Sequence, residues 1–310
     1  MATTKPSDLI IPEIWNPYLI QKTTEKCAFI ASGIATSDAS VNIVKGAKTI
    51  NIPFFQTPDA TPEVLSTSAA LTVNKMTADK DIACVHARGI AFESYDLSEL
   101  FSGADPQAAA ASYLGNLWAK DMTGLIENAL TAVFGLDGMA DSVLDNSANV
   151  LDANTMIDAM FLLGEHYDEI TAIAMHSAVF AKLKKLDLVD DKMPSTMMLP
   201  YDTYMGKRII IDNTLVPTSG VYPIYFFGQG AFAYNENASL ITFETDRDIY
   251  ASKSGFVSRR VFTMHPRGIK WVGSPAGETP TNAEYGTSTN WELVEKRENV
   301  RLACLKTKIA

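Results

Sequence analysis

The side chains that most often perform catalysis or bind metals are scarce in this sequence. Histidine occurs at four positions, His86, His166, His176 and His265. No H-E-x-x-H or C-x-x-C spacing is present, and no G-x-S-x-G nucleophile elbow occurs. We therefore predict that the four histidines are structural and that the chain has no catalytic, cofactor-binding or metal-ligating residues.

Three local patterns resemble functional motifs but are better explained as helix ends and turns. His176 and Ser177 are adjacent at a strand-to-helix junction, where neighbouring side chains point apart, so Ser177 is predicted to cap the helix. The Gly-Gln-Gly run at 228–230 lacks the third glycine and the following helix of a dinucleotide site, and predicts a turn. An acidic cluster without calcium-loop spacing indicates a solvated loop: Asp187, Asp190 and Asp191.

Basic and aromatic residues are interleaved at 259–262 and 267–271. Such interleaving occurs on surfaces that stack nucleic-acid bases. It also arises in a strand whose basic residues face solvent, and arginine and aromatic residues are enriched at subunit interfaces. We predict a strand with Arg259 and Arg260 exposed, and the other two interpretations remain open.

The composition is that of a globular protein. The 310 residues are 47% hydrophobic and 20% charged, which is enough chain for one large domain or two ordinary ones. No apolar run approaches the ~18 residues of a membrane span, and residues 1–12 show no secretory signal. Cys27, Cys84 and Cys304 are far apart and odd in number, which favours a reducing cytoplasm over a disulfide framework.

The charge is unevenly distributed along the chain. The net charge is −10, so the overall basic footprint of a nucleic-acid-binding protein is absent. Between residues 253 and 308 there are ten basic and five acidic residues, a net +5, which leaves −15 for the remainder. This asymmetry is common in soluble proteins. It is also what a self-associating subunit would use, with the basic segment of one copy meeting the acidic face of the next.

Residues 1–45 lack clean periodicity but carry many apolar side chains. Pro12 and Pro17 interrupt any helix in this segment. A segment so apolar without a core of its own must lie against the rest of this chain or against a neighbouring copy. Its anchors are Ile10, Ile11, Ile14, Trp15, Tyr18, Leu19 and Ile20.

Residues 46–92 have the alternation of extended chain. Ile50 and Ile52 alternate with polar residues, 71–74 alternates likewise, and 82–92 is strand-like. A polar stretch with two prolines at 56–62 predicts an irregular tip. The pattern predicts a hairpin with arms of about 20 residues, on the order of 65 Å long. Because a lone hairpin of that length is unstable, it must lie on the body or on another subunit.

The clearest helix is predicted over 105–134. Asp105 is a good N-cap, Pro106 a good first helical residue, and Gly135 a stop. At 1.5 Å per residue this helix would be about 43 Å long. One face carries an apolar stripe: Leu114, Trp118, Met122, Leu125, Ala129 and Val133.

After this helix, short helices and strands alternate. Asp152 is expected to cap a helix, 170–175 to form a strand, and Ser177 to begin a second helix. Further strands are predicted at 208–211, 222–227, 258–271 and 300–305. This alternation indicates a small sheet with helices on its faces, within a chain of the α+β class.

The order of these parts, together with several short stretches, resembles one known family. The stretches are PEIWNPY (12–18) with TEK (24–26), AMHS (174–177) with KLKKL (182–186), MGKRIIID (205–212), YFFGQGA (225–231), HPRGIKW (265–271) and TNWE (289–292). Each is a packing pattern without chemistry, but together they span most of the chain in a specific order. They resemble the major capsid protein of tailed bacteriophages, which has the HK-ninety-seven-type fold.

The resemblance implies a division of the chain into named parts. Residues 1–45 would be the N-arm, 46–92 the extended E-loop, and 93–149 the part of the P-domain that contains the spine helix. Residues 150–245 would be the A-domain, whose tips surround the symmetry axes of capsomers. Residues 246–310 would supply the return strands of the P-domain and the C-terminal segment.

The resemblance also implies a function and partners. The chain would be a structural, non-enzymatic subunit that self-assembles into hexamers and pentamers of an icosahedral head enclosing double-stranded DNA. It would be assembled in the host cytoplasm and reside in the virion. Some relatives carry a cleaved N-terminal scaffolding segment, for which this chain has no room, so a separate scaffolding protein is implied.

The other implied partners are a portal protein, a decoration protein and packaged DNA contacted non-specifically, with no membrane. The negative net charge agrees with a shell that encloses DNA without binding it tightly. Some relatives cross-link subunits through a Lys–Asn isopeptide bond. No Lys or Asn here matches that role, and no cross-link is predicted.

Three other functions are alternatives to the shell subunit. Encapsulin compartments share the fold but usually begin with a helix in place of an arm. An α/β hydrolase would have its site within 150–245, where no convergent catalytic set is recognisable. A surface adhesin is disfavoured by the missing signal peptide.

Overall fold

The structure is a computed structural model that describes residues 27–44, 46–56, 61–65, 70–96, 106–189, 202–237 and 243–309. Its helices are α1 (Ala28–Ala31), α2 (Pro106–Val133), α3 (Ala153–Met160), α4 (Ser177–Lys185) and α5 (Asn282–Tyr285). The first eight strands are β1 (Ala35–Ser37), β2 (Thr49–Phe55), β3 (Ala78–Cys84), β4 (His86–Tyr95), β5 (Val143–Val150), β6 (Ile170–Met175), β7 (Thr203–Tyr204) and β8 (Lys207–Ile211). The others are β9 (Tyr222–Gly228), β10 (Phe232–Glu236), β11 (Phe243–Asp248), β12 (Lys253–Pro266), β13 (Ile269–Trp271), β14 (Trp291–Leu293) and β15 (Leu302–Lys308).

The long helix α2 confirms the predicted apolar stripe. All six stripe residues are buried, from Leu114 to Val133, and the 28 residues form a rod about 42 Å long. The N-cap predicted at Asp105 lies outside the described residues. The helix ends where predicted, but Gly135 is not in the left-handed conformation of a glycine cap. A Cβ there would lie 3.2 Å from Ser288 Cβ, so close packing accounts for the glycine.

A six-stranded mixed sheet in the order β5-β15-β9-β6-β8-β7 packs against the C-terminal half of α2. Side chains alternate between its two faces, as the two-residue period of a strand requires. The face toward α2 carries Ala172, Ala174, Tyr225, Phe227, Leu302 and Cys304. The opposite face carries Ile173, Met175, Ile224, Phe226, Ala303 and Leu305, and is covered by α3 and α4. Because both faces are buried at the centre of the sheet, the central strands β6 and β9 read as nearly continuous apolar runs.

A second sheet is built around the 14-residue strand β12. One edge of β12 pairs with β4, and the other pairs with β11 and β10, all antiparallel, while β1 adds to β10 in parallel. Ile90, Phe92 and Phe256 from this sheet pack on Leu114 and Trp118 of α2. The spine helix therefore bridges the two sheets, the second through its N-terminal half and the six-stranded one through its C-terminal half.

Several observed strand pairings cross the predicted part boundaries. β15 falls within the predicted 246–310 part and lies between β5 and β9 in the six-stranded sheet. β5 falls within the predicted 93–149 part, yet it pairs with β15. β10 falls within 150–245 but pairs with β12. These pairings join strands that are far apart in the sequence, so a local sequence pattern does not reveal them.

The predicted hairpin exists but is shorter than expected. β2 and β3 pair from Thr49 with Cys84 to Phe55 with Ala78, so each arm has seven residues and is about 23 Å long. The alternating residues 71–74 are exposed and form no strand. β4, predicted as part of the same E-loop, pairs with β12 instead. Alternation of apolar and polar residues therefore does not by itself identify which segments pair as strands.

The structure describes only the later part of the predicted N-arm, residues 27–44. Its apolar anchors at 10–20 lie outside the described residues. The later part is built into the body: Phe29, Ile34 and Val41 are fully buried, and β1 pairs with β10.

Candidate functional site

The hairpin β2–β3 and the chain that joins its strands expose a large apolar surface. Phe55 ends β2, and five further large apolar side chains are exposed among the described residues before β3 begins. All six are 55–94% exposed: Phe55, Val64, Leu65, Leu71, Val73 and Met76. Single exposed apolar residues are ordinary, but this many on one projecting segment are typical of an interaction surface.

The base of the hairpin is fixed to the body by a buried polar contact. Asp81 Oδ1 lies 2.9 Å from His265 Nε2, and Asp81 Oδ2 accepts a hydrogen bond of 3.2 Å from the Gly268 backbone N–H. The His265 ring stacks on Trp291 with centroids 5.9 Å apart. Both oxygens of a buried carboxylate are therefore occupied, as burial of a charge requires.

Apolar packing supports the same attachment. Ile50 and Ile52 of β2 pack on Val41, Ala83 and Ala233. The hairpin thus has a buried base and an exposed distal part, which is the arrangement expected of an element that reaches beyond its own domain.

A cleft of about 690 Å³ opens under the hairpin. Ile52 and Phe54 form its wall on the hairpin side, and Ala231, Ala233 and His265 lie on the body side. Asp38 and Arg267, an ion pair of 2.7 Å, also line it. The polar side chains that line this cleft are largely paired with one another, which fits a surface for another protein segment better than a reaction site.

The Asp81–His265 pair is not arranged for nucleophilic catalysis. The other ring nitrogen, His265 Nδ1, is buried and has no hydrogen-bond partner among the described residues. A catalytic histidine needs one nitrogen on a carboxylate and the other within reach of a nucleophile. Asp81 and His265 thus form a buried polar contact between the hairpin and the body.

Cys84 and His86 form a second close pair that the sequence analysis missed. Cys84 Sγ and His86 Nε2 are 3.5 Å apart, and both residues are buried. Burial lowers the pKa of His86 to about 3 and raises the pKa of the Cys84 thiol, so both groups are neutral near pH 7. A reactive cysteine needs a thiolate. The spacing of two residues in extended chain was the signal that could have revealed the contact.

The other two histidines contact groups close to them in the sequence. His166 Nδ1 lies 3.0 Å from Glu169 Oε1 at the surface. His176 corrects the predicted cap: its Nδ1 accepts a hydrogen bond of 3.0 Å from the Ala178 N–H, and Ser177 is the first residue of α4. An imidazole nitrogen can accept this bond as a serine hydroxyl would, which moves the cap one residue earlier.

The remaining motif-like patterns are connections. β9 ends at Gly228 and β10 begins at Phe232, so the predicted turn at 228–230 is confirmed, with Gly230 at φ +66°. Asp187 lies just beyond α4 at φ +57°, while Asp190 and Asp191 lie outside the described residues. No group of three or more histidine, cysteine or acidic side chains in the described ranges is placed to hold a metal ion.

The arginines near the C-terminus differ from one another in their environment. Arg259 is half-exposed beside Glu244, whereas Arg260 is only 1% exposed and its Nε donates to Glu236 Oε1 at 2.6 Å. The prediction that both face solvent is wrong, because adjacent residues of a strand point to opposite faces. Since both guanidinium groups already bind carboxylates, this strand does not present a free basic face for nucleic acid.

The helices in the described part of the chain include none long and apolar enough to cross a membrane.

Comparisons with known proteins give one consistent result. A profile of the family described as "Gp13-like: Major capsid protein 13-like" matches residues 59–299. The major capsid protein of Bacillus phage SPP1 is 36% identical over 322 aligned residues, which cover all of this chain and 99% of that protein.

Solved structures agree at the level of the fold. The capsid of cyanophage Pam1 has a TM-score of 0.59 at 12% identity, covering 89% of this chain and 88% of that one. The capsid of the native GTA particle has a TM-score of 0.57 at 12% identity, covering 91% of this chain and 90% of that one. At this identity the likeness concerns the fold, which is the α+β HK-ninety-seven-type fold expected from the sequence.

Proposed function

The chain belongs to the Gp13-like family of major capsid proteins, and on that premise we propose that its copies form the pentamers and hexamers of an icosahedral head enclosing double-stranded DNA. It is a structural phage capsid protein, and its place is the capsid of the virion. The comparisons give no support to a compartment shell or a hydrolase.

The observation that carries the proposal is the contrast between the two ends of the hairpin. Its base is buried through Asp81, Ala83 and Cys84, while the distal apolar residues face solvent. Burying one Val or Leu side chain contributes about 1.5–3 kcal/mol, so the exposed distal group is a substantial source of association free energy. In a shell every subunit lies beside other copies, so a neighbouring subunit is the partner available to cover these apolar residues.

We assign the named parts accordingly, with boundaries adjusted to the strand pairing. The E-loop is the segment from β2 to β3. The P-domain consists of α2 with the sheet of β1, β4, β10, β11 and β12. The A-domain is the six-stranded sheet with α3 and α4, and it includes the C-terminal strand β15. Residues 1–45 remain the proposed N-arm, although its strand β1 completes the sheet of the P-domain.

The proposed partners follow from the role as a shell subunit. They are a separate scaffolding protein, a portal protein, a decoration protein and the packaged DNA, contacted non-specifically. We propose assembly in the host cytoplasm and no enzymatic activity. The net charge of −10 supports weak, non-specific contact with DNA, since tight binding requires many basic side chains on the phosphates.

Shortening the hairpin tests its intersubunit role. Gln56 N donates to Thr77 O at 2.9 Å, so an Asn-Gly turn in place of residues 57–76 would join a pair that is already hydrogen-bonded. We expect this variant to fold, with the circular dichroism spectrum and melting transition of the parent subunit. It should fail to form closed shells when co-expressed with the neighbouring genes of the phage, as seen by negative-stain microscopy and light scattering.

A point variant provides the matched control. Val64→Ser with Leu65→Ser keeps the hairpin length and removes apolar contact, and should also reduce shell yield. Val216→Ser, another exposed apolar position outside the hairpin, should have less effect than the double variant. Normal shells from the shortened chain, or an unfolded shortened chain, would contradict the intersubunit role.

A further inference from the structure

One pair of carboxylates joins the spine helix to the six-stranded sheet. Glu127 lies in the C-terminal half of α2, and Asp212 follows directly after β8. The hydroxyl of Thr214 contacts both of them: Thr214 Oγ1 lies within hydrogen-bond distance of Glu127 Oε1 and 2.6 Å from Asp212 Oδ1. The three oxygens form a chain that crosses from the helix to the loop after β8.

This chain of oxygens lacks one hydrogen when both carboxylates are ionised. Asp212 Oδ1 also accepts a hydrogen bond of 2.9 Å from the Thr214 N–H, but the Thr214 hydroxyl has a single proton, so only one of its two oxygen–oxygen contacts can be a hydrogen bond. If Glu127 is protonated, its O–H donates to Thr214 Oγ1, and the Thr214 O–H donates to Asp212 Oδ1. One added proton therefore completes both contacts and removes the repulsion between two negative charges.

The surroundings favour that proton. Burial, together with the negative charge of Asp212, raises the pKa of Glu127 to about 7, although the hydrogen bond from Thr214 opposes the shift. Tyr225 faces Glu127 from β9, and burial raises the pKa of its phenol, so it is neutral. Cys27 lies near Asp212, and burial raises the pKa of that thiol too.

The neighbouring polar groups also make contacts of their own. On α2 itself the adjacent hydroxyl is that of Thr131, which donates to the Glu127 backbone carbonyl. Arg208 shares a face of β8 with Asp212, but its Nη1 donates to the Ala31 carbonyl at 3.0 Å.

The loop after β8 connects this pair to other elements. Asn213 Oδ1 accepts a hydrogen bond of 3.2 Å from the Ser177 N–H, at the start of α4. Leu215 is buried in the core beside α2, and Val216 is exposed. A change at the carboxylate pair therefore acts on the segment that positions the start of α4 and an exposed apolar side chain.

We propose that Glu127, Thr214 and Asp212 form a proton-controlled clasp between the spine helix and the six-stranded sheet, closed when the carboxylate pair holds one proton and open when it holds none. The clasp lies within one subunit, so the test of the clasp is independent of the test of shell assembly.

The sign of the pH dependence follows from the raised pKa. A glutamic acid that holds its proton more tightly in the folded chain than in the unfolded chain stabilises the fold at low pH. That stabilisation is lost as the pH rises from the ordinary glutamate pKa through the raised value. The clasp should thus be closed at about pH 5.5 and open at about pH 8.5.

The test compares the full-length parent chain with Glu127→Gln across this range. The parent's melting temperature should fall by several degrees as the pH rises, and amide exchange at 212–216, corrected for its intrinsic pH dependence, should increase. Glutamine permanently supplies the missing hydrogen, so Glu127→Gln should lose most of this pH dependence. Asp121→Asn, on the same helix but outside the clasp, should keep the parent's profile.

Two results would overturn the clasp. One is a Glu127→Gln variant whose pH profile matches that of the parent. The other is a parent whose infrared difference spectrum between about pH 5.5 and about pH 8.5 shows no loss of a protonated carboxyl group. The infrared measurement needs only the parent chain, so it decides the question even if Glu127→Gln fails to fold.

Discussion

Arg260 shows that the role of a side chain in a strand depends on the face of the sheet to which it points. The guanidinium carbon lies 5.4 Å from the centre of the Trp118 ring. Arg260 donates two hydrogen bonds to the Glu236 carboxylate, and Tyr234 donates a third, of 2.6 Å. The sequence does not distinguish Arg259 from Arg260, because both belong to the same alternating strand. Which of them points inward is decided by the register of β12 against β4 and β11.

The two arginines are predicted to differ strongly in their contribution to stability. Arg260→Ala leaves Glu236 buried without its partner and should lower the free energy of unfolding by about 3–5 kcal/mol. Arg259→Ala removes a half-exposed ion pair and should cost about 0–1 kcal/mol. Urea denaturation of the unassembled subunit measures both values.

The double variant Arg260→Met with Glu236→Gln serves as the control, since it removes both buried charges and should recover part of the loss. Equal destabilisation by Arg259→Ala and Arg260→Ala would contradict the inward facing of Arg260.

At the scale of elements, the sequence predicted which segments form helices and strands better than which strands pair. The face of α2 is encoded by a local period of three to four residues, and the whole stripe is buried as expected. The partners of β4, β10 and β15 are separated from them by long stretches of chain, and nothing local identifies them. The clasp of Glu127 with Asp212, and the contact of Asp81 with His265, depend on such pairings and were not predictable.

The hairpin's attachment to the body can be weakened without touching its distal surface. Asp81→Ala leaves His265 Nε2 and the Gly268 N–H without their acceptor, and each unsatisfied buried group costs about 1–3 kcal/mol. Amides of β2 and β3 should exchange faster in this variant, while those of α2 keep the rate of the parent. Hydrogen exchange read out by mass spectrometry resolves the two regions.

Asp79→Ala is the matched control for this prediction. Asp79 lies on the same strand, but its side chain accepts hydrogen bonds within the hairpin, from the Gln56 side-chain amide at 3.1 Å and from the Lys80 N–H. Faster exchange in both variants alike, or in α2 as strongly as in the hairpin, would mean that Asp81 does not specifically anchor the hairpin.

At the scale of the whole molecule, the charge asymmetry of the sequence largely cancels in space. Five of the ten basic residues between 253 and 308 bind carboxylates from the acidic remainder of the same chain. The pairs are Lys253–Glu93, Arg259–Glu244, Arg260–Glu236, Arg267–Asp38 and Arg301–Glu169. The folded subunit therefore keeps less free basic charge for a neighbouring copy than the sequence indicated.

Assembly is accordingly predicted to become faster with salt. Copies that each carry −10 repel one another, and the screening length falls from ~10 Å at 0.1 M to ~3 Å at 1 M. Light scattering should show a higher rate of assembly at the higher salt concentration, whereas a neutral osmolyte at matched osmolality should not reproduce the screening effect. A rate that falls with salt would instead indicate attraction between oppositely charged faces.

The junction between the hairpin and β4 has a mechanical consequence. β3 ends at Cys84 and β4 begins at His86, with only Val85 between them, and all ten residues of β4 pair with β12. Tension applied to the hairpin tip by a neighbour enters β4 at its first residue. Where that tension runs along the strand, the ladder is sheared as a unit and is not unzipped one bond at a time. Internal pressure in a head would thus load this sheet along its strands, which is the direction in which the hydrogen bonds between β4 and β12 resist separation most strongly.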